Sequence, residues 1–131
     1  MNLVPNEKKY WEFIRHLRND RAIQKGFVEQ VHIKKKEQEK YMHDFNNCYY
    51  LCIEDGKPVG YIGEINDDIR LAVVTQHQKK GIGKFMLNEF MKLRPNSIAK
   101  VKLGNMASIN LFYSCGFRCI STDLNFHYFV R

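Results

Sequence analysis

Residues 71–87, Leu71-Ala72-Val73-Val74-Thr75-Gln76-His77-Gln78-Lys79-Lys80-Gly81-Ile82-Gly83-Lys84-Phe85-Met86-Leu87, decide how this chain folds. The first part is apolar and β-branched, as a strand requires. The last part opens an amphipathic helix over 81–93, with Ile82, Phe85, Met86, Phe90 and Leu93 on one face and Arg94-Pro95-Asn96 as its stop. Between them lies a basic loop with two glycines. It is not a dinucleotide fingerprint, because Met86 stands where G-x-G-x-x-G needs its third glycine, and no Walker A pattern can be placed. What remains is a helix N-terminus, where unpaired amides and the positive dipole end converge and glycines admit a phosphate to the backbone. The loop is either a pyrophosphate site or a surface turn with two convenient glycines.

Outward from this loop the element order is regular. Residues 49–54 and 59–65 read as strands around the turn Asp55-Gly56-Lys57-Pro58; Asn66-Asp67-Asp68 and a strand over 69–75 complete an antiparallel meander. Downstream come a strand over 97–103, a helix over 106–114 capped by Asn105, and strands over 117–121 and 125–130. Upstream, Tyr10, Phe13, Ile14 and Leu17 mark one face of a helix over 7–18, with Asn19 and Asp20 as breakers. A weaker helical stretch spans 22–41, in one or two pieces around Gly26. Its run Lys34-Lys35-Lys36-Glu37-Gln38-Glu39-Lys40 is polar all round and reads as a solvated face with i,i+4 pairs. The sum is an α/β (α+β) chain with a mixed, mostly antiparallel sheet, forming one domain over 1–131.

Composition narrows the function. At 131 residues, 44% apolar and 27% charged, the chain suits an ordinary globular domain and excludes collagen-like or disordered classes. A net charge of +7 points to a polyanionic partner: nucleic acid, an acidic membrane or a phosphate-rich small molecule. No run of 18 apolar residues suggests a membrane span, and the N-terminus lacks the apolar centre of a signal peptide, so a cytoplasmic protein is expected. Cys48, Cys52, Cys115 and Cys119 lie among apolar neighbours and are expected as buried free thiols, not as a zinc site or disulfides; no metal is expected. No recognition-helix pattern or zinc knuckle favours nucleic acid.

The motif Gln78-x-x-Gly81-x-Gly83 after a strand resembles the acyl-CoA-binding motif of the GNAT acyltransferase superfamily, R/Q-x-x-G-x-G/A. A second segment, Asn105-Met-Ala-Ser108-Ile-Asn-Leu111-Phe112-Tyr113-Ser-Cys-Gly116-Phe117, is similar to that family's N-x-x-A/S-x-x-L/F-Y/F-x-x-x-G-F. The element order fits as well, so the resemblance covers almost the whole chain. It implies a sheet splayed at the cofactor strand by a bulge, with the backbone of Leu71, Ala72 and Val73 pairing with the pantetheine arm of acetyl-CoA. Amides from Gln78 through Lys79, Lys80, Gly81, Ile82, Gly83 and Lys84 would hold the pyrophosphate, Asn105 would contact the cofactor, and Ser108, Leu111 and Phe112 would lie along the thioester end. The physics of the loop points the same way, since three lysines stand beside the helix dipole.

The resemblance also implies a reaction: direct attack of an amine on the acetyl thioester, without a covalent enzyme intermediate. An amide near Val73 would bind the developing oxyanion. Many relatives protonate the thiolate with a tyrosine seven residues after the asparagine, but here that position is Phe112, and Tyr113 is one helical step of about 100° away. Tyr113 is therefore either a displaced general acid or a packing residue. Glu64 and Asp68 are the candidates for the general base, near the turn into the cofactor strand. Arg15, Arg18 and Asn19 resemble the acceptor-facing segment of the branch that includes sugar-nucleotide and ribosomal-protein N-acetyltransferases. The implied acceptor is a nucleotide-linked amino sugar or another small amine; alternatives are a protein or peptide amine, or a catalytically weakened acetyl-CoA-binding domain. A monomer or homodimer is expected, with no nucleic acid or membrane partner.

Overall fold

Two pairs of left-handed residues close the meander. Asp55 and Gly56 have φ of 52° and 75°, Asn66 and Asp67 of 52° and 65°. Such turns match the twist of the strands they join. In the computed structural model, which describes residues 1–27 and 31–131, the chain runs β1 (Asn2–Pro5), α1 (Trp11–Asn19), α2 (Arg21–Gln24), α3 (Lys35–Phe45), β2 (Tyr49–Glu54), β3 (Lys57–Ile65), β4 (Asp68–Val73), α4 (Ile82–Leu93), β5 (Ala99–Lys102), α5 (Met106–Ser114), β6 (Arg118–Thr122) and β7 (Phe126–Val130). Antiparallel strands form a four-stranded sheet, β1-β2-β3-β4, and a three-stranded sheet, β5-β7-β6. Among the described residues the sheets meet at one parallel bridge, Asp68 with Ile98.

Each face of the larger sheet buries its own cluster. Ile62, Ile69, Met86, Leu87 and Phe90 pack on the α4 side. Ile14, Leu17, Met42, Leu51, Tyr61 and Ala72 pack under α1 and α3. Adjacent residues of one strand thus serve opposite cores, as strand alternation demands. Gly63 admits the closest approach in β3, because a Cβ there would stand 2.5 Å from the Cys48 carbonyl oxygen and 2.6 Å from Tyr49 Cδ1.

Several expectations need correction. Strand β1 was not expected; it adds an edge to β2 by pairing Leu3 with Cys52. The helical stretch expected over 22–41 is two helices, α2 and α3, with non-helical chain at Lys25–Phe27 and 31–34, while 28–30 lie outside the described residues. Asn19 ends α1 inside the helix, and Asp20 starts α2, its carboxylate accepting from the Ala22 and Ile23 amides. The run 34–40 is polar but not solvated throughout: Gln38 is fully buried and donates from Nε2 to the Trp11 carbonyl at 3.0 Å. No bulge interrupts the pairing of β4 with β3; register shifts occur instead between β2 and β3 at Cys52/Ile53 and between β6 and β7 at Cys119/Ser121. All four cysteines are free thiols, but only Cys52 and Cys115 are buried.

Candidate active site

The site begins where β4 and β5 part. The Val74 amide donates to Val59 of β3, whereas the Ile69 amide points the other way, to the Ile98 carbonyl at 2.8 Å. Strand alternation then directs the N–H and C=O groups of Leu71 and Val73 away from β3, into the gap. Gln78 takes one of them, donating from Nε2 to the Val73 carbonyl at 3.1 Å. This bond folds the loop back against the strand that feeds it.

Beyond Gln78 the loop places Lys79 at φ 63° and Gly81 at φ 83°, left-handed conformations of the kind that build anion-binding turns. The first helical bond of α4 runs from Phe85 to the Gly81 carbonyl at 2.9 Å. The Ile82, Gly83 and Lys84 amides therefore have no acceptor within the helix. These residues, with Leu71, Val73, Gln78, Lys79 and Leu111, line a cavity of about 610 Å³. Lys80 is exposed and stands outside it. An anion over the helix N-terminus and an extended arm along the gap match these donors.

Gly26, Phe27, Leu71, Asn105 and Ser108 also wall a second, smaller cavity of about 210 Å³. Asn105 caps α5 by accepting from the Ser108 amide at 3.2 Å and donates from Nδ2 to the Gly26 carbonyl at 3.3 Å. One side chain thus ties the α2 segment across the junction. The smaller cavity reaches between the sheets to Asp68, Arg70, Lys100, Tyr49, Tyr61 and Arg18. Burial raises the Asp68 carboxyl above its ordinary value, against the pull of the Arg70 charge and the Lys100 amide. Its Oδ1 is buried and has no hydrogen-bond partner among the described residues. Burial also holds the Tyr61 and Tyr49 phenols protonated, and the Tyr49 hydroxyl is 2.7 Å from that of Tyr41.

A family model described as the acetyltransferase (GNAT) family matches residues 11–117. The chain belongs to the GNAT acetyltransferase family. As a member it is an enzyme of the acyltransferase class, a GNAT-type N-acetyltransferase. Solved GNAT-like structures share its fold. Spermidine N-acetyltransferase from Vibrio cholerae, in complex with CoA and spermine, is 18% identical with a TM-score of 0.83 over 98% of this chain and 92% of that one. Ribosomal-protein-alanine N-acetyltransferase from Brucella melitensis is 16% identical with a TM-score of 0.79, over 98% of both chains. An aminoglycoside acetyltransferase in complex with coenzyme A is 15% identical with a TM-score of 0.81, over 99% of this chain and 93% of that one. No curated protein matches the sequence significantly.

Within this GNAT fold, several residues expected at the site lie elsewhere. Glu64 lines neither cavity. It faces the α4 side, accepts a hydrogen bond from Ser97 and pairs with Arg94 at 3.3 Å, so it fastens the end of α4 to the sheet. Arg15 is bound by Glu12 at 2.8 Å and 2.9 Å, and Asn19 exchanges hydrogen bonds with both backbone groups of Ile33. Both clamp the connection into α3; of the three acceptor candidates only Arg18 borders a cavity. Tyr113 is 53% exposed with its ring on Phe129, while Phe112 is buried and faces the smaller cavity. Tyr113→Phe is accordingly expected to leave steady-state acetyl transfer unchanged within about twofold, the ordinary range of a surface substitution.

Gly26, Phe27, Tyr61, Arg70 and Lys100 are site residues that sequence reading missed. Gly26 was marked only as a helix break, and the others carry no local signal because four separate segments bring them together. Among the described residues no group of three or more His, Cys, Asp or Glu is arranged to hold a metal, and no helix is long and apolar enough to cross a membrane.

Proposed function

We propose that the enzyme transfers the acetyl group of acetyl-CoA to a small primary amine by direct attack. The observation that carries this reading is the meeting of two cavities at Leu71, Asn105 and Ser108, with a loop of unpaired amides and lysines in one and a desolvated carboxylate in the other. The Ile82, Gly83 and Lys84 amides, with Lys79 and Lys84, hold the pyrophosphate; the Val73 N–H and the Leu71 carbonyl hold the pantetheine arm. When bound, acetyl-CoA supplies the acetyl thioester.

Asp68 accepts the proton that the attacking nitrogen loses as the N–C bond forms and the C–S bond breaks. A primary alkyl amine near pKa 10.4 costs about 4.6 kcal/mol to deprotonate at pH 7, so a positioned base is worth having. Leu71 lines both cavities and Val73 only the larger, which favours the Leu71 amide over that of Val73 as the donor to the developing oxyanion. Ser108 offers a hydroxyl at the junction for protonating the leaving thiolate. With a thiol pKa of about 8.5, leaving that step to water costs only about 2 kcal/mol at pH 7, so Phe112 does not disable the site.

The smaller cavity favours a compact acceptor; a nucleotide-linked amino sugar would keep its nucleotide outside it. Calorimetric titration with acetyl-CoA, followed by thiol release across an amine panel, tests the reading. Saturable binding and amine-dependent thiol release are expected. Binding without release for any amine would leave only an acetyl-CoA-binding domain.

A further inference from the structure

We infer that the acceptor is a small primary amine that also carries an acidic group, a carboxylate or phosphate, held by Arg70, Lys100 and Arg18 while its amine faces Asp68. The inference rests on the acetyltransferase reading and adds the substrate class. Three cations and one carboxylate line the smaller cavity. Among the described residues none of the three has a carboxylate partner within 4.0 Å, so their charge is left for a ligand.

Their neighbours are aromatic instead. The Arg18 guanidinium stands 4.9 Å from the centroid of Tyr41, and the Lys100 ammonium 4.5 Å from that of Phe126. Aromatic faces hold such cations in place without neutralising them. Arg18 and Lys100 are also half-buried, where an unmatched charge is costly and an incoming anion is correspondingly favoured. Arg70 and Lys100 both act electrostatically on Asp68, so the cavity presents opposite charges side by side.

A polycationic acceptor would meet like charges here; a zwitterion matches both signs. At about 210 Å³, the cavity lies below the ~300 Å³ at which pockets for drug-sized ligands begin. It suits a molecule of amino-acid size.

Thiol release at saturating acetyl-CoA would be compared for matched amines: 4-aminobutyrate with butylamine, O-phosphoethanolamine with ethanolamine, and spermidine alone. In at least one pair the acidic member should exceed both its neutral partner and spermidine in kcat/KM by about tenfold or more, as expected for a matched charge pair. The responding pair identifies the acid as carboxylate or phosphate. Arg70→Gln, or Lys100→Gln if that variant melts early, should shrink the ratio below about threefold without changing the KM for acetyl-CoA. Equal or better turnover of the neutral amines or spermidine would overturn the inference, as would a ratio unaffected by either variant. If no amine is turned over, the acetyltransferase reading fails. Calorimetry with the same pairs on the acetyl-CoA-saturated protein then decides separately: about tenfold tighter binding of an acidic member supports the anion site, and equal binding removes it.

Discussion

Asp68→Asn is expected to lower kcat by about a hundredfold or more, the usual contribution of a positioned general base, while leaving the protein at least as stable at pH 7. The two halves have one cause. Burial raises the Asp68 carboxyl in the folded chain, so the folded state binds this proton more tightly than the unfolded state. Stability therefore falls as pH rises from the unfolded value through the folded one, and the ionised carboxylate lowers stability above that window. Asparagine is neutral throughout and removes the dependence. Activity runs the opposite way, since a base works only when ionised. The acidic limb of kcat/KM should lie above the ordinary aspartate value in the native enzyme and disappear in the variant. Thiol-release profiles and thermal melts over the same pH series check both. Retention of kcat within about threefold would assign proton removal to water. Glu64→Gln, which weakens the contacts with Ser97 and Arg94, should lower the melting temperature and spare kcat.

Gly81→Glu is expected to weaken acetyl-CoA binding by about a hundredfold or more, equivalent to roughly 2.8 kcal/mol. A Cβ at this position meets nothing within 4 Å, but the backbone φ of 83° is left-handed. The steric fit is easy, and the conformation costs about 1–2 kcal/mol of stability. The dominant effect is charge: a carboxylate beside the Ile82, Gly83 and Lys84 amides competes for the donors a pyrophosphate needs and repels it. Gly81→Ala separates the two, carrying the backbone cost without the charge, and should lose only a few-fold in affinity. Calorimetry on both variants, with melts to confirm folding, makes the comparison. Unchanged affinity in Gly81→Glu would move the phosphates away from this loop.

How much of this was readable in one dimension depends on whether the chemistry is local. The glycine-bearing loop before α4 and the Asn105 cap are backbone devices, so their glycines and capping side chain stand at fixed spacings in sequence. The Asp55-Gly56 and Asn66-Asp67 turns were readable for the same reason. Strand β1 was not, because four residues with a terminal proline show too little alternation to mark an edge. Buried Gln38 was hidden by its polarity. Glu64 and Asp68 flank the same turn and look alike in sequence, yet the register sends one to α4 and the other to the gap. The cationic lining was the least accessible feature, since Arg18, Arg70 and Lys100 come from α1, β4 and β5 and converge only through long-range packing.

The parted strands have one more consequence. Unpaired N–H and C=O groups along a strand normally invite another polypeptide to add itself, which makes open sheet edges an aggregation hazard. Here the unpaired groups, the N–H and C=O of Leu71 and the N–H of Val73, lie in a cleft lined by Gly26, Phe27, Ser108 and Leu111. A second protein strand would have to enter that cleft, between residues of three other segments, to reach them. The walls of the gap thus help keep an incomplete sheet from recruiting its own kind.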